Sequence, residues 1–147
     1  MERPTRMKYR PKVYTASRLD RAPLWHSLTI DPDWDFVEWT ASWIHCPWVT
    51  GAAEGPPDYL TLWSADITDV KRSDFTIVLG DEGLRGALIE AGCSIGNGIR
   101  VLAVEVDPDH SWTHHSLVTR LDSLEEARMY LFRYTIMIPR RRRMEDE

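Results

Sequence analysis

The chain has 147 residues, a length that fits one domain with a single hydrophobic core. Hydrophobic residues make up 43% of it and charged residues 28%, which excludes a disordered or fibrous protein, and the formal charge of −5 argues against a general nucleic-acid binder. Two distant cysteines indicate a reducing compartment, and no apolar run is long enough to cross a bilayer. We therefore expect a cytosolic single-domain protein over residues 1–147, with polar tails at 1–10 and 140–147.

The first half of the chain predicts two strands with a helix between them. The β-branched run at 12–16 predicts the first strand, and the amphipathic stretch to Leu28 predicts a helix with Pro23 in its first turn. From Asp35 to Ile44, apolar and polar residues alternate, which predicts the second strand. The segment Pro47–Asp58 is rich in glycine and proline and is predicted to be a flexible loop.

The second half of the chain predicts helices and strands in alternation. In order, these are a helix over 59–72, a buried strand over 75–79, a helix over 84–95, strands over 100–106 and 117–121, and a last helix begun by the capping box Ser123-Leu-Glu-Glu126. Such alternation implies parallel βαβ units. We expect an α/β, flavodoxin-like open parallel five-stranded sheet with helices on both faces, and a ligand at the carboxyl ends of the strands.

A glycine and a glutamate share one face of the predicted helix over 84–95. Gly86 lacks a side chain, so a ligand can approach the backbone there, and Glu90 follows one turn later. The nearby helix N-terminus favours an ionised carboxylate. An ionised carboxylate can attack an anomeric carbon and form a covalent glycosyl intermediate. Spacing alone favours a plainer interpretation, in which the glutamate is solvated and paired with Arg85 or Arg100.

Five segments carry a family pattern in the same order over roughly residues 12–131. They are Lys12-Val-Tyr-Thr-Ala-Ser17, the stretch from Trp63 to Asp74 that leads into the strand at 75–79, Arg85-Gly-Ala-Leu-Ile-Glu-Ala-Gly92, Gly98-Ile-Arg-Val101, and the stretch from His114 to Arg120. This pattern resembles the nucleoside 2-deoxyribosyltransferase-like superfamily, which includes N-glycosidases of deoxynucleoside 5′-monophosphates. The resemblance implies a flavodoxin-like fold, a (deoxy)nucleoside or its 5′-monophosphate as ligand, and a homodimer or larger assembly.

The resemblance also assigns roles at three matching positions. Glu90 matches the nucleophile of the family. Asp66 matches the aspartate that orients the sugar and the glutamate. Tyr14 matches the first-strand tyrosine that hydrogen-bonds near the nucleophile.

The chain departs from the family pattern at two places. Transferases of the family carry a further acid shortly before the nucleophile, which protonates the base, whereas this chain has Leu84-Arg85-Gly86 there. Asp81 is our candidate for that acid, with turn capping as the alternative.

The hydrolase branch holds a 5′-phosphate with a loop of small residues after the first strand. Ser17 and Arg18 offer a hydroxyl and a guanidinium for that purpose. The alternative is an Arg18 that is solvated or paired with Asp20.

Tryptophan is unusually frequent, with six of the seven residues lying between Trp25 and Trp63. Trp43, Trp48 and Trp63 flank the loop that is expected to cover the pocket, so one of them is expected to stack on a base. Trp43 is our candidate for substrate binding, although packing in the core fits it as well.

Two classes of function stay open. The first is an enzyme that cleaves an N-glycosidic bond and passes the sugar to a second base or to water. The alternative is a non-catalytic nucleotide or nucleotide-signal binding module. The lack of an assigned base-protonating acid and the tryptophan-rich segment favour this alternative.

The histidines His110, His114 and His115 do not predict a metal site, because Pro108 disfavours the helix that would align them. We thus expect a small-molecule partner and further copies of the chain, without metal, cofactor, membrane or nucleic acid.

Overall fold

A computed structural model describes residues 9–56, 58–80 and 83–137 and contains one five-stranded sheet. The strands are β1 (Lys12–Ala16), β2 (Glu38–Trp39), β3 (Phe75–Leu79), β4 (Arg100–Val104) and β5 (Val118–Leu121). They lie in the order β2-β1-β3-β4-β5, and every neighbouring pair is parallel. The predicted flavodoxin-like open sheet is confirmed. Its strand order reverses between β1 and β3, which is where such sheets bind ligands.

Five α-helices connect and cover the strands. They are α1 (Ala22–Thr29), α2 (Pro47–Thr50), α3 (Tyr59–Lys71), α4 (Gly86–Gly96) and α5 (Leu124–Met137). All five residues of β3 are buried, as expected for a central parallel strand that is covered on both faces. None of the helices in the described ranges is long and apolar enough to cross a membrane.

The ends of the helices follow the polar residues that the sequence offers. Asp58 caps α3 by accepting a hydrogen bond from the Thr61 backbone N–H, at 3.1 Å. Ser123 caps α5 in the same way through the Glu126 N–H, at 3.1 Å. The Glu126 carboxylate reaches back to the N–H of Asp122, one residue before the cap, so the predicted capping box is present with its second bond displaced by one position.

The predicted second strand is wrong over most of its length. Only Glu38–Trp39 pair with β1, and the chain then turns into a 3₁₀ helix over Ser42–His45. Both the N–H and the hydroxyl of Ser42 donate to Asp69 Oδ2, at 3.0 and 2.6 Å, which draws the chain away from the sheet edge. Of the alternating tryptophans, Trp39 is a half-buried residue of β2, whereas Trp43 is buried in the core from the 3₁₀ helix.

Other boundaries differ by smaller amounts. Part of the predicted loop at Pro47–Asp58 forms the single turn α2, which ends where Gly51 takes a positive φ of 79°. Arg10, predicted to lie in a polar tail, donates to the backbone oxygens of Asp35 and Val37, so it belongs to the folded part. The remainder of the two predicted tails, apart from Tyr9, lies outside the described residues.

Candidate active site

A cavity of about 460 Å³ opens at the carboxyl ends of β1 and β3, where the strand order reverses. Its wall comes from the turn after β1, from α3, and from the start of α4 with the turn before it. The lining residues are Ser17, Arg18, Leu19, Asp20, Tyr59, Leu62, Trp63, Asp66, Gly83, Arg85, Gly86, Ala87 and Glu90. Its volume lies within the range of small-molecule sites.

Two buried carboxyl groups line the floor of this cavity, and the hydroxyl of the fully buried Tyr14 lies near them without lining the cavity itself. Glu90 is 7% exposed and Asp66 is 5% exposed, although both line the cavity. Glu90 Oε2, Asp66 Oδ1 and the Tyr14 hydroxyl oxygen are fully buried and have no hydrogen-bond partner of normal length among the described residues, although the Tyr14 hydroxyl lies near enough to the Glu90 carboxyl to lower its pKa. Buried polar atoms are nearly always paired in folded proteins, so the two unpaired carboxyl oxygens at one cavity indicate a ligand site.

Burial dominates the protonation of Glu90. It raises the pKa of this carboxyl to about 8, and the negative charge of Asp66 adds to the effect, whereas the nearby Tyr14 hydroxyl lowers the pKa. The expectation that the helix N-terminus keeps Glu90 ionised is therefore wrong near neutral pH. Glu90 is the fifth residue of α4 and lies below the surface, where loss of water outweighs the helix dipole.

Asp66 and Tyr14 are shifted in the same direction. Burial, followed by the charge of Asp69, raises the pKa of Asp66 to about 6. The pKa of Tyr14 is raised far above its ordinary value, mainly by burial and then by the charges of Glu90 and Asp66. Tyr14 is thus a permanently neutral hydroxyl that can donate one hydrogen bond beside two carboxyl groups.

Ser17 and Arg18, the predicted phosphate ligands, both line the cavity. The Ser17 hydroxyl already accepts a hydrogen bond from Trp25 Nε1 at 2.8 Å and donates to the backbone oxygen of Arg18 at 3.0 Å. Arg18 pairs with Asp20 at 3.0 Å, and both side chains are at least half exposed. Arg18 is thus paired with Asp20, which is the alternative that the sequence left open. The Ser17 hydroxyl already donates its proton to the backbone.

Gly86 has a neighbour that spacing could not reveal. A Cβ atom placed on Gly86 would lie 3.2 Å from Cη2 and 3.4 Å from Cζ2 of Trp63. The room left by the missing side chain is therefore filled by the six-membered ring of Trp63, which itself lines the cavity.

Trp43 does not line the cavity. Trp43 is 3% exposed, donates from Nε1 to the backbone oxygen of Thr15 at 2.7 Å, and is not among the lining residues. The structure therefore places it in the core rather than at the cavity, which is the packing alternative. Asp81 lies outside the described residues.

The part of the wall that sequence reasoning underestimated comes from one face of α3. Tyr59, Leu62, Trp63 and Asp66 follow the i, i+3, i+4, i+7 spacing of a single helix face. That spacing, centred on the candidate Asp66, was the available signal. Arg85, named only as a partner for Glu90, lines the cavity and forms no ion pair with it in the described ranges.

The histidine-rich loop uses its ring nitrogens locally. His114 Nε2 lies 2.7 Å from the backbone oxygen of Pro108, and His115 Nδ1 accepts from the Leu117 N–H at 3.0 Å. No cluster of histidine, cysteine and acidic residues that could hold a metal ion occurs within 9–56, 58–80 and 83–137.

Comparison with known proteins identifies relatives by fold only. No family model matches the chain, and no curated protein matches its sequence. A conserved protein from Enterococcus faecalis V583 matches with a TM-score of 0.57 and 16% identity, over 85% of this chain and 99% of the other. The CMP N-glycosidase BcmB of Clostridium botulinum matches with a TM-score of 0.55 and 16% identity, over 84% of this chain and 98% of the other. The chain therefore shares its parallel α/β fold with both of these proteins. Because each protein is only 16% identical to this chain, the likeness shows the fold alone. The matched region covers nearly the whole of each of the two other proteins.

Proposed function

We propose that this protein cleaves the N-glycosidic bond of a (deoxy)nucleoside or nucleoside 5′-monophosphate, with Glu90 as the nucleophile. The observation that carries the proposal is that Glu90 and Asp66 line one cavity, each with a buried oxygen that lacks a partner, and that the buried Tyr14 hydroxyl lies near both carboxyl groups. The fold shared with a CMP N-glycosidase supports the same class of reaction.

The proposed reaction proceeds in two displacements. The ionised Glu90 carboxylate attacks the anomeric carbon, the bond from that carbon to the base nitrogen breaks, and the base leaves with the electron pair and takes up a proton from the solvent. The resulting glycosyl ester is then attacked by water, which releases the sugar, or by a second base, which forms a new nucleoside. In both cases the Glu90 carboxylate is regenerated.

Asp66 and Tyr14 have supporting roles in this reaction. Asp66 accepts a hydrogen bond from a sugar hydroxyl and so fixes the anomeric carbon in front of Glu90. Tyr14, which stays neutral, donates a hydrogen bond toward the glutamate and favours its charged form, in agreement with its lowering of the Glu90 pKa.

Release of free base tests the proposal directly. Purified protein is incubated with a panel of nucleosides, deoxynucleosides and their 5′-monophosphates, and free base is measured by chromatography. Glu90→Gln keeps the shape of the side chain and removes the nucleophile, so we expect base release to fall by at least about a thousandfold while binding persists. Glu38→Gln, at an exposed position on β2, is the matched control and keeps full activity.

The covalent step gives a second, independent measurement. Rapid acid quench during turnover, followed by mass spectrometry, is expected to find the glycosyl group on the peptide that contains Glu90. A second base added to the mixture distinguishes transfer from hydrolysis, because only transfer yields a new nucleoside. Binding of panel members without any base release would contradict the proposal and favour the non-catalytic binding module.

The assembly of the protein stays a prediction. Large apolar side chains are exposed beside the cavity on α3 and α4, among them Leu60 at 80% and Ile89 at 58%. Large exposed apolar side chains are common in subunit contacts, so we expect a homodimer or larger assembly. Light scattering coupled to gel filtration would measure this, and a strict monomer would contradict it.

A further inference from the structure

We propose that Trp63, held in place by Gly86, is the platform on which the base of the substrate stacks, and that the site selects a planar base by stacking rather than by hydrogen bonds to its edge. This inference rests on the proposed function, since it assumes that a nucleoside or nucleotide occupies the cavity. The inference adds Trp63 to the site as an uncharged residue that determines specificity and takes no part in proton transfer.

The position of Trp63 relative to the two carboxyl groups suits this role. Trp63 precedes Asp66 by three residues on α3, and Gly86 precedes Glu90 by four residues on α4, so each pair lies on one helix face. The contact between Trp63 and Gly86 thus lies about one helical turn, roughly 5.4 Å, from the acidic floor. A sugar with its anomeric carbon in front of Glu90 would place its base beside the Trp63 ring.

The contact with Gly86 fixes the ring. Its Cη2 and Cζ2 atoms approach the glycine so closely that a Cβ atom would meet them at 3.2 and 3.4 Å. Trp63 is only half-buried, so without this contact its indole ring could adopt several side-chain conformations. A ring that is already oriented loses little freedom when a base binds against it.

The described wall of the cavity has no amide side chain, and two of its charged residues, Arg18 and Asp20, are paired with each other. The sequence of the chain contains no glutamine and a single asparagine, Asn97, whose amide donates to the backbone oxygen of Cys93 at the end of α4. Amide side chains are the ones that pair a donor and an acceptor with a base edge. The residues next to Trp63 and Gly86 in sequence that line the cavity are Leu62, Arg85 and Ala87, of which only Arg85 is polar. Stacking needs only the π-face that every base has, and therefore tolerates different bases.

Binding to the Glu90→Gln protein tests the inference without requiring turnover. Titration calorimetry is carried out with adenosine 5′-monophosphate, cytidine 5′-monophosphate, the monophosphate of unsubstituted purine riboside, and ribose 5-phosphate, which has no base. We expect the dissociation constants of the adenine and unsubstituted purine compounds to agree within about threefold, because the exocyclic amine is not read.

Substitutions at the platform separate stacking from general damage. Trp63→Ala is expected to weaken the purine compounds by about 10- to 100-fold, the cytidine compound by less, and ribose 5-phosphate not at all, while Trp63→Phe retains most of the affinity. Gly86→Ala keeps the indole but displaces it, so purine affinity falls by about three- to tenfold although alanine favours the helix. Gly92→Ala in the same helix, with nothing within 4 Å of the added Cβ, is the matched control and leaves binding unchanged.

The outcomes distinguish this inference from the proposed function. If Trp63→Ala weakens all four compounds equally, or none of them, stacking on Trp63 is wrong even if base release is intact. If base release is absent but the base-dependent losses occur, the proposed reaction fails and the platform stands. If none of the four compounds binds, the inference is overturned.

Discussion

The carboxyl group of Asp66 lies in the same cavity as that of Glu90, and its negative charge raises the Glu90 pKa further above the value that burial alone imposes. The two groups lie on different helices, α3 and α4. Because both are buried and their pKa values are about 6 and about 8, the pair loses its protons in two steps across the neutral range. The charge state of the site is therefore set by pH within the physiological range.

The rate of base release is expected to rise with pH and to level off only above about pH 8. In the proposed reaction the attacking species is the Glu90 carboxylate, and a pKa of about 8 means that only a minority of the free protein has Glu90 ionised at pH 7. A profile of kcat/KM against pH for the best panel substrate measures the pKa of the free protein. Activity that is already maximal at pH 6 would contradict either the nucleophile or the raised pKa.

Tyr14→Phe and Asp66→Asn are expected to move this profile in opposite directions. Removing the Tyr14 hydroxyl takes away the interaction that lowers the Glu90 pKa, so the rising limb shifts to higher pH. Asp66→Asn takes away a negative charge that raises the pKa, so the limb shifts to lower pH, while the maximal rate falls because the sugar is less well held. The position of the limb, rather than the rate, is the measurement, and shifts in the same direction would contradict the assigned electrostatics.

The regular elements of the fold could be predicted from sequence because each has a strong local signal. The run Phe75–Leu79 forms β3 over the residues that were predicted, and the predicted helix over 59–72 appears as Tyr59–Lys71. The second strand failed because alternation indicates burial on one side, which a 3₁₀ turn that inserts Trp43 into the core also satisfies. The Ser42–Asp69 bonds that decide between the two join residues 27 positions apart, a distance at which local patterns carry no information.

The composition of the candidate site was predictable to a smaller extent. Family resemblance named Glu90, Asp66 and Tyr14, and these three converge. The protonation of Glu90 was mispredicted because it depends on how deeply α4 is covered, which only tertiary packing determines. The contact between Trp63 and Gly86 could not be predicted from the sequence either, because it forms only where α3 and α4 meet.

Stability should depend on pH through Glu90. A carboxyl whose pKa rises from 4.5 in the unfolded chain to about 8 in the folded protein contributes its full stability below pH 4.5 and loses it as the pH rises through about 8. Glu90→Gln abolishes this loss, so the variant should exceed the original protein in free energy of unfolding by up to about 4 kcal/mol at pH 9, and by little at pH 5. Urea unfolding at both values measures the difference; an equal difference at the two values would exclude a raised pKa.

Ser94 and Thr76 are expected to act as a unit that fixes α4 to the sheet below the nucleophile. Both side chains are fully buried, and Ser94 Oγ lies 2.8 Å from Thr76 Oγ1 and 2.9 Å from the backbone oxygen of Glu90. Ser94→Ala deprives the buried Thr76 hydroxyl of its partner and should cost about 1–3 kcal/mol of unfolding free energy. Thr76→Val combined with Ser94→Ala removes both polar groups, so it should cost less than the sum of the single variants. Thr68→Ala, at an exposed position on α3, is the control and should change stability by no more than about 0.5 kcal/mol. Strict additivity in urea unfolding would show that the two hydroxyls do not act together.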